Sequence, residues 1–301
     1  MSLNSTVSQL QLRDGRQLSY QISGPAPKPS SSGPSDSIPT VLLSNSLCAP
    51  FHTWDHYVSI LHGHKFRVIQ YDQVGHGGST VNSSEVDGTT FNSLANDVLQ
   101  LLDALQVRKV HAWIGISMGA ATGIYFCAQN PGRVERLVIC DTISCSPNAI
   151  GIPDPFEARV AAARKDGHIN DIVEQTIVRW FSEPWREMNE AEVQRMRNIM
   201  LKTQIEGFAA CCRALQDKEF DLRPLAGKLG GAVEKVMLVV GENDANLPQT
   251  MAELREQIQA GFDSLGKGGK VRWAIIKGAG HVSVVDGLEE YSQHVTQFLE
   301  A

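Results

Sequence analysis

Alternating apolar and polar residues open the chain. TVSQLQLRD and RQLSYQIS flank Asp14-Gly15. Alternation sends every second side chain to one face of a strand, and an Asp-Gly step favours a tight reversal, so residues 6–23 predict a β-hairpin. Residues 24–39 (GPAPKPSSSGPSDSIP) carry almost nothing apolar and read as a flexible Pro/Ser/Gly loop. The pattern then changes. TVLLSNS (40–46), FRVIQYD (66–72), KVHAWIGIS (109–117), RVERLVICD (133–141), KVMLVVGEND (235–244) and KVRWAIIKG (270–278) are short, nearly continuous apolar runs. Helical stretches separate them. Over 91–105, Leu94, Val98, Leu101, Leu102 and Leu105 recur at helical spacing. Helices are also expected over 51–61, over 118–130 up to Pro131, from near Pro248, and from about Asp286 to Leu299.

Continuous apolar strands alternating with helices mean a parallel sheet covered on both faces, an α/β architecture. The rhythm fails between 142 and 230, where helical stretches (156–166, 168–181, 189–203 and 207–216) occur without a strand. We expect a core of residues 1–141 and 231–301, and a helical cap of residues 142–230 lying over the carboxyl ends of the strands.

Composition narrows the class. The 301 residues are 42% hydrophobic and 20% charged, as in a folded globular protein. With 27 Lys+Arg against 33 Asp+Glu there is no cationic surplus for nucleic acid. No apolar run of membrane-spanning length is present, and the first fifteen residues lack a basic start and an apolar core, so neither a membrane partner nor a secretory signal is expected. The six cysteines, two of them adjacent and others inside apolar runs, suit reduced thiols in a cytoplasmic protein. They form no C-x-x-C pair, and the histidines show no paired ligand spacing, so no metal is expected.

Gly115-Ile116-Ser117-Met118-Gly119 is the strongest chemical signal. It follows one predicted strand and opens one predicted helix, the setting in which G-x-S-x-G lifts a serine proud of a sharp turn. The Met118 amide would then face a developing oxyanion at a helix N-terminus. A serine hydroxyl needs a base. Of the nine histidines, His281 follows the last strand, where its loop can reach over the sheet. His76, in a Gly-rich loop, is read as a loop brace, and His111 lies within a strand. The base in turn needs a carboxylate on its other ring nitrogen. Asp244, after the strand at 235–241, is preferred, and Asp141, which ends the preceding strand, is the competitor. The loop after the strand at 40–44 should supply a second oxyanion donor, the Leu47 amide, with Ser46 and Cys48 beside it. Trp54, Phe156, Trp180, Phe181, Trp185, Phe208 and Val282 could line an apolar pocket. Arg159, Arg179 and Arg186 are candidate anion ligands.

Several segments together carry a family resemblance: LLSNSL, FRVIQYDQVGHGGS, DVLQLLDALQV, GISMGAATG, RVERLVIC, RWF, GFAACCRALQDKEFDLR, GENDANLP and the terminal GHVSVVDG. Over about residues 10–300 the chain resembles the α/β-hydrolase superfamily, nearest to the 3-oxoadipate enol-lactonase-like and perhydrolase-like serine hydrolases. The resemblance implies an α/β-hydrolase fold: a mostly parallel eight-stranded sheet with helices on both faces and a helical cap inserted after the sixth strand. It also implies a Ser117–His281–Asp244 triad, oxyanion amides at Leu47 and Met118, no cofactor, and a small-molecule substrate. Members of that branch hydrolyse a small anionic lactone with Arg and Trp of the cap near the carboxylate, and the matching pair is Arg179-Trp180. The chain departs from the branch at Val74, at Ala120 and in its Ser-rich insert. These departures fit a larger, less charged substrate. Hydrolysis of an ester or lactone is the expected reaction. The alternatives are carbon–carbon bond hydrolysis or a lyase or cyclase step at the same site, and a non-catalytic ligand receptor. A homodimer is compatible with the sequence.

Overall fold

A computed structural model describes residues 6–25 and 38–301 of the chain. Most of the loop expected at 24–39 therefore lies outside the described residues. The strands are β1 (Val7–Gln11), β2 (Gln17–Ser23), β3 (Thr40–Ser44), β4 (Arg67–Tyr71), β5 (Val110–Ile116), β6 (Val134–Cys140), β7 (Lys235–Gly241) and β8 (Val271–Ile276). They form one eight-stranded sheet in the order β1-β2-β4-β3-β5-β6-β7-β8. The β1–β2 hairpin and the β2–β4 pair are antiparallel, and every other pair is parallel. The mostly parallel sheet expected from the apolar runs is thus present.

The strand order locates the site. From β3 the chain moves to β4 on one side, then crosses back to β5 on the other. The loops leaving β3 and β5 diverge, and such a switch point opens a crevice at the carboxyl edge of a parallel sheet.

Helices α1 (Asp55–Gly63), α2 (Phe91–Ala104) and α3 (Met118–Gln129) follow β3, β4 and β5. All five residues of β3 are buried, as are Met118 to Cys127 of α3, because helices cover both faces of the sheet. Between β6 and β7 the chain forms α4 (Glu157–Asp166), α5 (Asn170–Trp180), α6 (Glu183–Met188), α7 (Glu190–Met200), α8 (Ile205–Gln216), α9 (Arg223–Ala226) and α10 (Leu229–Ala232). Helices α11 (Leu247–Asp263), α12 (Ser283–Asp286) and α13 (Leu288–Glu300) complete the fold. Two details differ from the sequence expectation. The terminal helix is divided at Gly287 into α12 and α13, and α6, α9 and α10 are too short to show a helical period.

Helices α7 and α8 of the segment between β6 and β7 pack on loops at the carboxyl edge of the sheet. Gln204, at the head of α8, donates its amide to the Gly75 carbonyl (2.8 Å) and its side chain to the Ser79 carbonyl (2.9 Å), both in the loop after β4. Gly207 meets Gly75 backbone to backbone, so closely that a Cβ on either would overlap the other. Arg195 of α7 donates to the His52 carbonyl (2.8 Å), in the loop after β3.

Candidate active site

The turn from β5 into α3 is built around two glycines. A Cβ on Gly115 would overlap the Gly119 carbonyl, and one on Gly119 would overlap the Ser44 carbonyl of β3. Ser117 between them has φ 54° and ψ −115°, outside the regions that an L-residue prefers. Holding it there costs about 1–3 kcal/mol, which the surroundings must offset. They do so at the backbone: the Ser117 amide donates to the Cys140 carbonyl (2.7 Å), and the Ser117 carbonyl accepts from Ala120 and Ala121 (3.0 Å each). Met118 is the first residue of α3, so its amide has no intrahelical acceptor. Among the described residues it has no other acceptor either.

The Leu47 amide is likewise without an acceptor among the described residues, although the loop around it is heavily bonded. Asn45 donates to the Tyr71 carbonyl (2.6 Å) and accepts from Trp54 Nε1 (2.8 Å). Gln73 Nε2 donates to the Ser46 carbonyl (2.9 Å). Cys48, in the left-handed region at φ 62°, donates its amide to His76 Nε2 (3.0 Å), and His76 Nδ1 donates to the Val74 carbonyl (2.8 Å). Both bonds require neutral His76 with its proton on Nδ1. Burial agrees, lowering the His76 pKa to about 4 despite the Val74 carbonyl. Asp72 accepts the Phe51 (2.8 Å) and Gly78 (3.0 Å) amides, and burial raises its pKa to about 6 against those bonds. His76 is therefore the loop brace that the sequence suggested. Asn45, Asp72 and Gln73 are further braces, and sequence reasoning missed them because their partners lie on a neighbouring loop.

At the far side of the edge, His281 Nδ1 lies 2.7 Å from Asp244 Oδ2, and both residues are buried. A carboxylate only accepts, so Nδ1 carries the proton and Nε2 is left as the basic nitrogen. Asp141, the competing acid, does not touch His281. Its Oδ1 accepts from the Gly241 amide (2.8 Å) and its Oδ2 from the Ser283 hydroxyl (2.9 Å). Ser117 and Asp141 directly follow the last residues of β5 and β6, and Asp244 and His281 lie in the loops that leave β7 and β8. Among the described residues no hydrogen bond joins the Ser117 hydroxyl to His281.

The residues expected around a pocket fall in different settings. Trp180 is buried, with its ring 5.7 Å from the His281 imidazole and its carbonyl accepting the His281 amide (3.2 Å). Its indole N–H has no partner among the described residues. Trp185 stacks on Phe181 (4.8 Å) and Phe156 is half-buried. Ser46, Cys48, Trp54, Phe208 and Val282 are buried. Burial pushes the Cys48 thiol up to about 12, which makes it a poor nucleophile. The Arg159 guanidinium lies over Phe208 (5.5 Å) and donates to Thr176 Oγ1 (2.7 Å).

Arg179 keeps accessible surface, yet desolvation lowers its pKa, aided by the charge of Arg159 and opposed by Asp244 and Cys48. Neither Arg159 nor Arg179 has an ion-pair partner among the described residues. Among these residues no group of His, Cys, Asp and Glu is arranged to hold a metal ion, and no helix is long and apolar enough to cross a membrane.

A family model described as the alpha/beta hydrolase fold matches residues 39–288. The 3-oxoadipate enol-lactonase 1 of Acinetobacter baylyi is 31% identical over 245 residues, which is 81% of this chain and 82% of that protein. Among solved structures, the enol-lactonase from Burkholderia xenovorans aligns with a TM-score of 0.78 at 28% identity, covering 98% of this chain and all of the other. A hydrolase from Pseudomonas aeruginosa aligns with a TM-score of 0.79 at 27% identity, covering 98% and 99%.

Proposed function

The chain belongs to the α/β-hydrolase fold family and is a hydrolase, and within that family we propose that it cleaves an ester or lactone through Ser117, His281 and Asp244. One observation carries the assignment of residues. A buried imidazole has its Nδ1 proton committed to a carboxylate at 2.7 Å, on the same sheet edge as a serine held in a strained turn.

In this reaction His281 Nε2 takes the Ser117 proton as Oγ attacks the carbonyl carbon. The oxygen gains negative charge and is met by the two amides left without acceptors, those of Leu47 and Met118. Asp244 fixes the imidazole tautomer and stabilises the imidazolium. His281 then returns the proton to the leaving alkoxide, which leaves an acyl group on Ser117. A water deprotonated by His281 repeats the cycle and frees the acid. The Ser117–His281 hydrogen bond closes when substrate fills the site, as catalytic bonds often do. No cofactor enters any step.

The helical segment 142–230 acts as a cap, and its Arg179 and Arg159 carry cationic charge with no ion-pair partner among the described residues. That charge suits a substrate with an anionic group, as in the lactones hydrolysed by the similar enzymes, more than the less charged substrate inferred from sequence departures. Nothing in the geometry favours the carbon–carbon alternative.

A fluorophosphonate probe tests the assignment. It is expected to form one covalent adduct, mapped by peptide mass spectrometry to Ser117 and absent from His281→Ala. An adduct at another residue would overturn the assignment.

A further inference from the structure

Asp141 is fully buried and lies in the left-handed region at φ 47°, and the reaction proposed above does not use its carboxylate. Its contacts are all to the machinery. Oδ1 holds the Gly241 amide, at the start of the loop that carries Asp244. Oδ2 holds the hydroxyl of fully buried Ser283, two residues after His281. Its amide donates to the Val239 carbonyl (3.1 Å), and the adjoining Cys140 carbonyl receives the Ser117 amide. Cys140 and Asp141 therefore touch the chain segments of all three proposed catalytic residues. A buried carboxylate is costly to keep, and a hydrophobic residue would fill the space without that cost.

We propose that Asp141 is a positioning residue that clamps the Asp244 loop to the His281 loop and so fixes the separation of the two side chains. The proposal rests on the Ser117–His281–Asp244 assignment. The clamp adds two side-chain hydrogen bonds, one of them reaching past His281 to Ser283, to the backbone bonds that join the loops on its near side, from the Glu242 amide to the Ile276 carbonyl (2.9 Å) and from the Asn243 amide to the Ala279 carbonyl (2.8 Å). An isosteric amide can make both: its carbonyl accepts from Gly241 and its NH2 donates to the Ser283 oxygen. Geometry, not charge, is thus the function. The groups around Asp141 agree, since Asp244, Asp286, Cys140 and Tyr291 are acids and no cation among the described residues pairs with it. Burial, and after it the charge of Asp244, raises the Asp141 pKa well above the ordinary carboxylate range.

The test uses the full chain with p-nitrophenyl acetate as the probe. It compares Asp141→Ala, Asp141→Asn and Ser283→Ala for kcat, KM, thermal midpoint and the low-field proton resonance of His281 Nδ1. Misplacing a catalytic group by about 1 Å can cost about a hundredfold, so both alanine variants should lose roughly ten- to a hundredfold in kcat. KM should stay within about twofold, because neither side chain is among those expected to hold the substrate. The Nδ1 resonance should broaden, and Asp141→Asn should recover most of kcat and a sharp resonance. A folded alanine variant with parental kcat, or an asparagine variant as impaired as alanine, would overturn the clamp. If Asp141→Ala does not fold, Ser283→Ala and Asp141→Asn decide by the same criteria. Ser117→Ala and His281→Ala in the same assay separate the two levels. Their retaining activity would remove the proposed function itself, whereas their loss alongside unimpaired Asp141 and Ser283 variants would remove only the clamp.

Discussion

Ser117 is held at φ 54° by the backbone around it, and among the described residues its hydroxyl makes no hydrogen bond. Replacing it with glycine should relieve the strain at some entropic cost, for a net gain of about 1 kcal/mol in urea unfolding while activity disappears. A destabilised Ser117→Gly would show that the turn is not strained. His76 gives a pH-dependent counterpart. Its folded pKa of about 4 lies below the ordinary 6.5, so the stability it contributes is fully present above pH 6.5 and is lost as pH falls toward 4. The loss is on the order of 3 kcal/mol for a fully buried ring. Asp72, raised to about 6, acts with the opposite sign over part of that window, because protonating it favours the folded state. A comparison of parent with His76→Gln isolates the histidine. The variant should be less stable at pH 7 and should fall less steeply between pH 6.5 and 4. Parallel curves would contradict the neutral, doubly bonded imidazole.

Among elements, the contact between α8 and the loop after β4 depends on two facing glycines. In Gly207→Ala the new methyl would meet the backbone of Gly75, and backbone yields less readily than a side chain. A loss of about 1–3 kcal/mol in thermal or urea unfolding is expected, and an unchanged midpoint would show that α8 moves freely on the loop. This scale also separates what the sequence made legible from what it did not. Ser117, Asp244 and His281 could be located because each follows an apolar strand, and strand ends in a parallel sheet converge on one edge. Asp141 against Asp244 could not be settled by spacing, since both end strands, and only the 2.7 Å contact to His281 separates them. Helix α6 opens Glu183-Pro184 and α9 opens Arg223-Pro224. Both are shorter than two turns and give no hydrophobic period to detect. The braces Asn45, Asp72 and Gln73 were invisible for another reason: their bonds join loops after β3 and β4, and only the strand order makes those loops neighbours.

For the molecule as a whole, the proposed function assigns the chemistry to the sheet edge and the selection of substrate to the helical segment. Arg179 lies in the last turn of α5 and has no ion-pair partner among the described residues. Arg179→Gln should therefore raise KM for a carboxylate-bearing lactone by about tenfold or more and leave kcat/KM for a neutral acetate ester within about twofold. Equal effects on both substrates would place Arg179 in the scaffold and not in recognition. The most direct measurement of the central claim is the turnover of purified Ser117→Ala, with its fold checked by circular dichroism, on an ester that the parent hydrolyses. The account predicts a fall of about 10^4-fold or more in kcat with the fold intact; parental turnover by that variant would contradict it.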